Sequence, residues 1–101
     1  MLLIRDVFHC KPGKVRPMVK KFLAMADLME KQGSPRPRVT TDMSGQRFWT
    51  VVSEFEVESF DEFTSMGSDE ESTKEFEKIM SDYHDLVDSG HREIYTIEKS
   101  P

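Results

Sequence analysis

The sequence predicts an α+β fold of element order βαββαβ, with its strands in one four-stranded antiparallel sheet. Two observations carry that prediction. Four segments alternate apolar and polar residues with a period of two, and two longer segments repeat apolar residues every three or four positions. Proline and glycine clusters separate them, as at Lys11-Pro12-Gly13-Lys14 and Gly33-Ser34-Pro35-Arg36-Pro37. The 101 residues suit one domain spanning 1–101.

Residues 2–9 form the first predicted strand. Leu2, Ile4 and Phe8 share one side, where Asp6 intrudes; Leu3, Arg5, Val7 and His9 share the other. A helix over 14–32 follows, because Val15, Met18, Val19, Phe22, Met25, Ala26 and Met29 make one apolar face. Pro17 is tolerated in its first turn, and Gly33 supplies a left-handed cap. Residues 38–43 and 46–57 read as two strands around a two-residue turn at Ser44-Gly45. The second carries Trp49, Val51, Phe55 and Val57 on one side and Phe48 and Val52 on the other, so it belongs in the middle of the sheet.

Ser59-Phe60-Asp61-Glu62 is a capping box opening a short helix. Gly67-Ser68-Asp69 breaks it, and Ser72-Thr73-Lys74-Glu75 offers a second box. From there Phe76, Ile79, Met80, Tyr83 and Val87 predict a helix over 73–88, capped by Gly90. His91 to Glu98 is the closing strand. Hairpin pairing with right-handed crossovers then puts the first and third strands in the centre, the ferredoxin-like arrangement. Helices can cover only one face of such a sheet. Apolar residues on both sides of the third strand therefore predict a homodimer closed sheet against sheet.

In these segments the chain resembles the dimeric α/β-barrel superfamily, and within it the NIPSNAP-like and antibiotic-biosynthesis monooxygenase-like proteins. The likeness lies in Lys11-Pro12-Gly13-Lys14 after the first strand, Glu58-Ser59-Phe60-Asp61-Glu62-Phe63 after the third, and Arg92-Glu93-Ile94-Tyr95-Thr96-Ile97 in the last. The resemblance implies a ferredoxin-like dimer and, in some members, oxygenase or isomerase activity on small aromatic compounds. Haem-degrading members use an asparagine, a tryptophan and a helix histidine. This chain has no asparagine, its Trp49 falls too early in the third strand, and His84 falls too late in the helix. Haem chemistry is not expected.

Composition narrows the rest. Nineteen acidic against 14 basic side chains give a net charge of −5, which argues against nucleic acid as a partner. No apolar run approaches the ~20 residues of a membrane span, and Met1-Leu2-Leu3-Ile4 is too short for a signal-peptide core, so a cytoplasmic protein without membrane partners is expected. The single Cys10 excludes an internal disulfide and reads as a small apolar residue. His9, His84 and His91 have no tight ligand spacing, and no metal or other cofactor is expected. Ser68-Asp69-Glu70-Glu71-Ser72 lacks the glycine and alternating oxygens of a calcium loop.

The candidate site residues are those with chemistry to offer near strand ends. His9 is the candidate base, its ordinary pKa lying near neutrality, and Tyr95 on the neighbouring strand would orient a ligand. Arg5 is the candidate anion anchor. Trp49 and Tyr83 are candidate walls for a small hydrophobic or aromatic ligand in a cavity between sheet and helices, and each also suits plain packing. Two functions remain. One is a small-ligand-binding dimer, extending to a cofactor-less oxygenase or isomerase; the other is a non-enzymatic dimerisation or stress-associated module. A cavity above ~300 Å³ with converging polar groups separates them in favour of the first.

Overall fold

A computed structural model describes residues 1–66 and 69–98. Strand β1 (Leu2–Cys10) leads into helix α1 (Val15–Lys31), followed by β2 (Arg38–Thr41) and β3 (Thr50–Val57). Helices α2 (Phe60–Ser65) and α3 (Glu70–Ile79), a 3₁₀ turn (Tyr83–Asp85) and β4 (Val87–Thr96) complete the chain. The sheet order is β2-β3-β1-β4 with every pairing antiparallel, so β1 and β3 are central as the sequence predicts. The fold is ferredoxin-like.

Helix α1 matches its predicted bounds within a residue. Met18, Phe22 and Ala26 lie at four-residue spacing and are buried against the sheet, and Gly33 ends the helix at φ 80°. The second half departs from expectation in three places. Helix α3 begins earlier, because Asp69 rather than Ser72 is its N-cap: the Asp69 carboxylate accepts from the Ser72 amide at 3.1 Å. The expected corner residues Gly67 and Ser68 lie outside the described residues. Helix α3 also stops at Ile79 instead of running to residue 88. Asp82 turns left-handed at φ 62°, Tyr83 packs edge-on against Phe8, and Val87 already pairs with Cys10. The apolar spacing that suggested a continuous helix is met by a turn and a strand.

Gly90 is consequently no helix cap. It lies within β4 opposite Phe8, and a Cβ there would come within 2.5 Å of the Phe8 ring. The third departure is the β2–β3 connection, which spans residues 42–49 rather than a two-residue turn. Asp42 closes it, its carboxylate accepting from the Thr50 amide at 2.7 Å while its own amide donates to the Thr50 carbonyl. Phe48 and Trp49 therefore belong to a loop, not to β3.

Two apolar clusters fill the space between sheet and helices. One joins Cys10, Met18, Phe22, Val51 and Met80; the other joins Ile4, Phe55 and Val57. Polar tethers fix α3 beside α1: Lys21 Nζ donates to the carbonyls of Ile79 and Ser81, and Gln32 Nε2 donates to Ser72 Oγ at 2.5 Å. Among the described residues nothing packs on the other face of the sheet. That face is less apolar than the sequence suggested. Val7 and Val52 are its buried centre, but ion pairs surround them and neither Phe48 nor Trp49 contributes.

Candidate functional site: a cavity over a polar row

The helix-facing side of the sheet is not continuously apolar. In the antiparallel register Asp6 lies between Ser53 of β3 and Arg92 of β4, a polar row crossing the sheet between the two apolar clusters. Arg92 Nε donates to Asp6 Oδ1 at 2.6 Å, and its guanidinium sits 5.0 Å from the centre of the Phe63 ring. A cation over an aromatic face gains attraction from the ring quadrupole, so Phe63 and Asp6 together fix the Arg92 head group.

Above this row lies a cavity of about 480 Å³. Met25 and Met29 of α1, Phe55 of β3, Phe63 of α2 and Phe76 of α3 wall it, with Asp6 and Arg92 among its lining. Its size and its mixture of apolar wall and few polar groups are those of a small-molecule site. Methionine suits such a wall, since its unbranched thioether adapts to different shapes. A larger hollow of about 590 Å³ lies beside it between Gln32–Pro35 and α3, but Glu62, Asp69, Glu71 and Glu75 border it, and it offers little apolar wall. The smaller cavity has the more apolar wall.

The residues nominated from sequence lie elsewhere. Arg5, His9 and Tyr95 are on the open face. There Arg5 donates to Glu54 at 3.1 Å and to Glu93 at 2.7 Å, Arg38 reaches Glu54 at 2.6 Å, and Tyr95 Oη donates to Glu93 at 3.1 Å. His91 Nε2 stands 2.9 Å from Glu93, and the rings of His9 and His91 are 5.9 Å apart. His9 and Tyr95 do not form one site. Tyr95 pairs with Leu3 and His9 with Ser89, which puts them roughly 20 Å apart along the strands at about 3.4 Å per residue.

Tyr83 is on the helix side, half-buried against Phe8, with the His84 ring 4.1 Å away in the same 3₁₀ turn. Trp49 lies outside the cavity, in the β2–β3 loop. Sequence reasoning missed Asp6 and Arg92 as a pair. The signal was present in Asp6 on the apolar side of the first strand, but only the β1–β4 register identifies its partner.

Electrostatics follow from these placements. Hydrogen bonding from His91, with help from Tyr95 and Arg5, holds the Glu93 carboxyl below its ordinary value. Burial pulls the Arg5 guanidinium down, but the hydrogen bond to Glu54 and the charge of Glu93 outweigh it, leaving Arg5 raised. Burial, then Asp42 and Asp88, pushes the Cys10 thiol up, away from the thiolate form that nucleophilic attack uses. Burial first, then Arg47 and His91, lowers the His9 pKa. Among the described residues no group of three or more His, Cys, Asp or Glu converges as a metal would require.

The His9 shift has a measurable consequence. The unfolded chain binds this proton first as pH falls through about 6.5. The stability His9 contributes is therefore complete above that value and lost as pH falls through its lower folded value. Denaturant unfolding at pH 7.5 and 5.5 should show the wild type losing stability on acidification, and His9→Asn losing less. Equal losses in the two proteins would contradict the assignment.

No known family profile matches the sequence, and no curated protein matches it. Solved structures do. An uncharacterised NIPSNAP-domain protein from Burkholderia xenovorans superposes with a TM-score of 0.72 over 97% of this chain and 95% of its own, at 14% identity. A NIPSNAP family protein from Agrobacterium tumefaciens gives 0.69 over 94% and 90%, at 13% identity. A dimeric protein of unknown function and ferredoxin-like fold from Bacteroides fragilis gives 0.61 over 95% and 96%, at 19% identity. At these identities the likeness is one of fold. The resemblance to NIPSNAP-like proteins read in the sequence is matched by that fold.

Proposed function

We propose that this chain is a small-ligand-binding protein that works as a homodimer, its ligand held in the cavity between sheet and helices. The observation that carries this reading is the Asp6–Arg92 pair set into the lining of an apolar cavity of about 480 Å³. The pair is open to solvent on one side, Arg92 being 52% and Asp6 24% exposed, so a ligand entering the cavity can reach both charges. The pair is neutral overall, so it best suits a neutral polar group on a hydrophobic or aromatic body, such as a phenol or enol. The hydroxyl would donate to Asp6 and accept from Arg92, with the body among Met25, Met29, Phe55, Phe63 and Phe76.

In its finer form the reading includes catalysis. Asp6 takes the hydroxyl proton and Arg92 holds the negative oxygen, the first step of a cofactor-less isomerase or oxygenase. These two residues take the place of His9, expected as the base, and of Tyr95, expected to orient the ligand. His9 and Tyr95, with Arg5, are assigned to the face between two copies. The dimeric neighbour of the same fold supports pairing, and Tyr95, 48% exposed, offers apolar area on that face. A cytoplasmic location is retained as part of the proposal; among the described residues no helix is long and apolar enough to cross a membrane.

Thermal-shift and calorimetric titration against a panel of phenols, enols and matched carboxylates tests the cavity. Neutral hydroxyl compounds should bind, Asp6→Asn and Arg92→Met should each weaken binding about tenfold or more, and Arg5→Met should not. Light scattering at micromolar concentration should give the mass of a dimer. The alternative reading, a non-enzymatic dimerisation module, is favoured by the ion pairs of Arg5, Arg38, Glu54 and Glu93, a face in which each of these charges is partnered. A dimer that binds nothing in the panel would establish it.

A further inference from the structure

At the end of the sheet where β1 stops and β3 starts, the β2–β3 loop presents three large apolar side chains to solvent. Met43 is fully exposed, Phe48 is 76% exposed and Trp49 is 44% exposed. The loop is nevertheless fixed at its base. Asp42 and Thr50 exchange hydrogen bonds, Thr50 Oγ donates to the Arg47 carbonyl, and the Cys10 amide donates to the Trp49 carbonyl at 2.8 Å. Trp49 is held at φ 63°, a left-handed conformation that strains a bulky residue and persists only where surrounding contacts impose it.

Charge is arranged around the same loop. Gly13, Val15 and Arg16 line one groove with Phe48 and Trp49, so the start of α1 adjoins the loop. Between residues 11 and 20 the chain carries four basic side chains, Lys11, Lys14, Arg16 and Lys20, and no acidic one, while Lys21 is turned to α3. Arg47 adds a fifth from the loop itself. Asp42 lines the same groove, its carboxylate accepting from the Thr50 amide at 2.7 Å, and is outnumbered there by the basic side chains. Lys11 adjoins the acidic turn, its amide donating to the Leu86 carbonyl at 2.9 Å, so Asp82, Asp85 and Asp88 offset Lys11 and the basic patch centres on Lys14, Arg16 and Arg47. In a chain of net charge −5 this is a local basic patch with apolar prongs.

We propose that this loop and the start of α1 form a docking surface for an anionic lipid bilayer. Met43, Phe48 and Trp49 enter the headgroup region, while Lys14, Arg16 and Arg47 meet the lipid phosphates and carboxylates. Protruding side chains fit a deformable bilayer better than a peptide, which needs a groove deep enough to bury its anchors. Aromatic residues beside basic ones are the combination that settles at a membrane surface. The sequence expectation of no membrane partner rested on the lack of a spanning run, which a surface contact does not need.

The test is co-sedimentation of the full chain with phosphatidylcholine vesicles, with and without phosphatidylserine, at low and physiological salt. Binding is expected only with phosphatidylserine and should weaken as salt rises. Lys14→Gln and Arg47→Gln should each reduce partitioning about five-fold, the equivalent of ~1 kcal/mol per basic side chain near the surface. Phe48→Ser and Met43→Ser should reduce it while leaving the thermal transition unchanged, since both side chains are exposed. Absence of binding to either vesicle, or equal binding to both, overturns the proposal. So does a change in dimer mass on Phe48→Ser without vesicle binding by the wild type, which would make the loop a contact between copies.

Discussion

Replacing Val51 with aspartate should abolish cooperative folding at neutral pH. Val51 has no solvent exposure and packs with Cys10, Met18, Phe22 and Met80 at the centre of the larger apolar cluster. A carboxylate there has no cation within that cluster to pair with. Burying it unpaired costs several kcal/mol, against a total stability of roughly 5–15 kcal/mol for a domain of this kind. The comparison variant Val51→Ala loses only buried volume and should cost about 2 kcal/mol. Circular dichroism on heating reads the difference: a shifted transition for alanine, none for aspartate. A normal transition for Val51→Asp would mean that strand β3 does not face the helices at this position.

The second large effect is expected at Gly90, from the smallest possible change. An added methyl would sit 2.5 Å from two carbons of the Phe8 ring. That ring cannot move freely, because Phe22 meets it edge-on at 5.3 Å between centroids and Tyr83 does so at 5.7 Å. Gly90→Ala should therefore cost about 1–3 kcal/mol through overpacking. For a chain of this length each kcal/mol lowers Tm by about 4–8 °C. Combining it with Phe8→Leu makes the cause explicit. If the clash is the origin, Gly90→Ala should cost much less in the Phe8→Leu background than in the wild type. Additive effects would place the cost elsewhere.

Gly90 also marks where sequence reasoning and structure part. Glycine after an apolar helical repeat is read as a cap, and Phe76, Ile79, Met80, Tyr83 and Val87 keep that repeat going to its doorstep. The chain leaves the helix because Asp82 takes a left-handed conformation, a step that aspartate permits but does not announce. Helix α1 was legible because its apolar stripe, prolines and Gly33 all agree. The β2–β3 connection was misread for a similar reason to the helix. Ser44-Gly45 has the composition of a tight turn, and only the Asp42–Thr50 bonds reveal a wider loop.

For the candidate site, half the information lay in one strand. Asp6 interrupts an apolar face, which the sequence displays openly. Its partner Arg92 lies 86 positions away, and long-range pairing of that kind follows from register, not from local pattern. His9, Arg5 and Tyr95 drew notice through their chemistry. Pleat parity put Arg5 and His9 on the other side of the sheet from Asp6, a consequence already visible in the alternation of β1.

The helices over the cavity are lightly held. Helix α2 buries no residue fully and α3 buries only Ser72, while Lys21 and Gln32 of the first half tether α3 and the turn after it through hydrogen bonds. The two apolar clusters draw mainly on the sheet and α1. Segments with little buried apolar area open at lower free energy than the core they cover. Helices α2 and α3 are thus expected to open at lower free energy than the four strands and α1. A molecule bound over Asp6 and Arg92 could come and go by way of this local unfolding, at a rate set by breaking a few polar tethers.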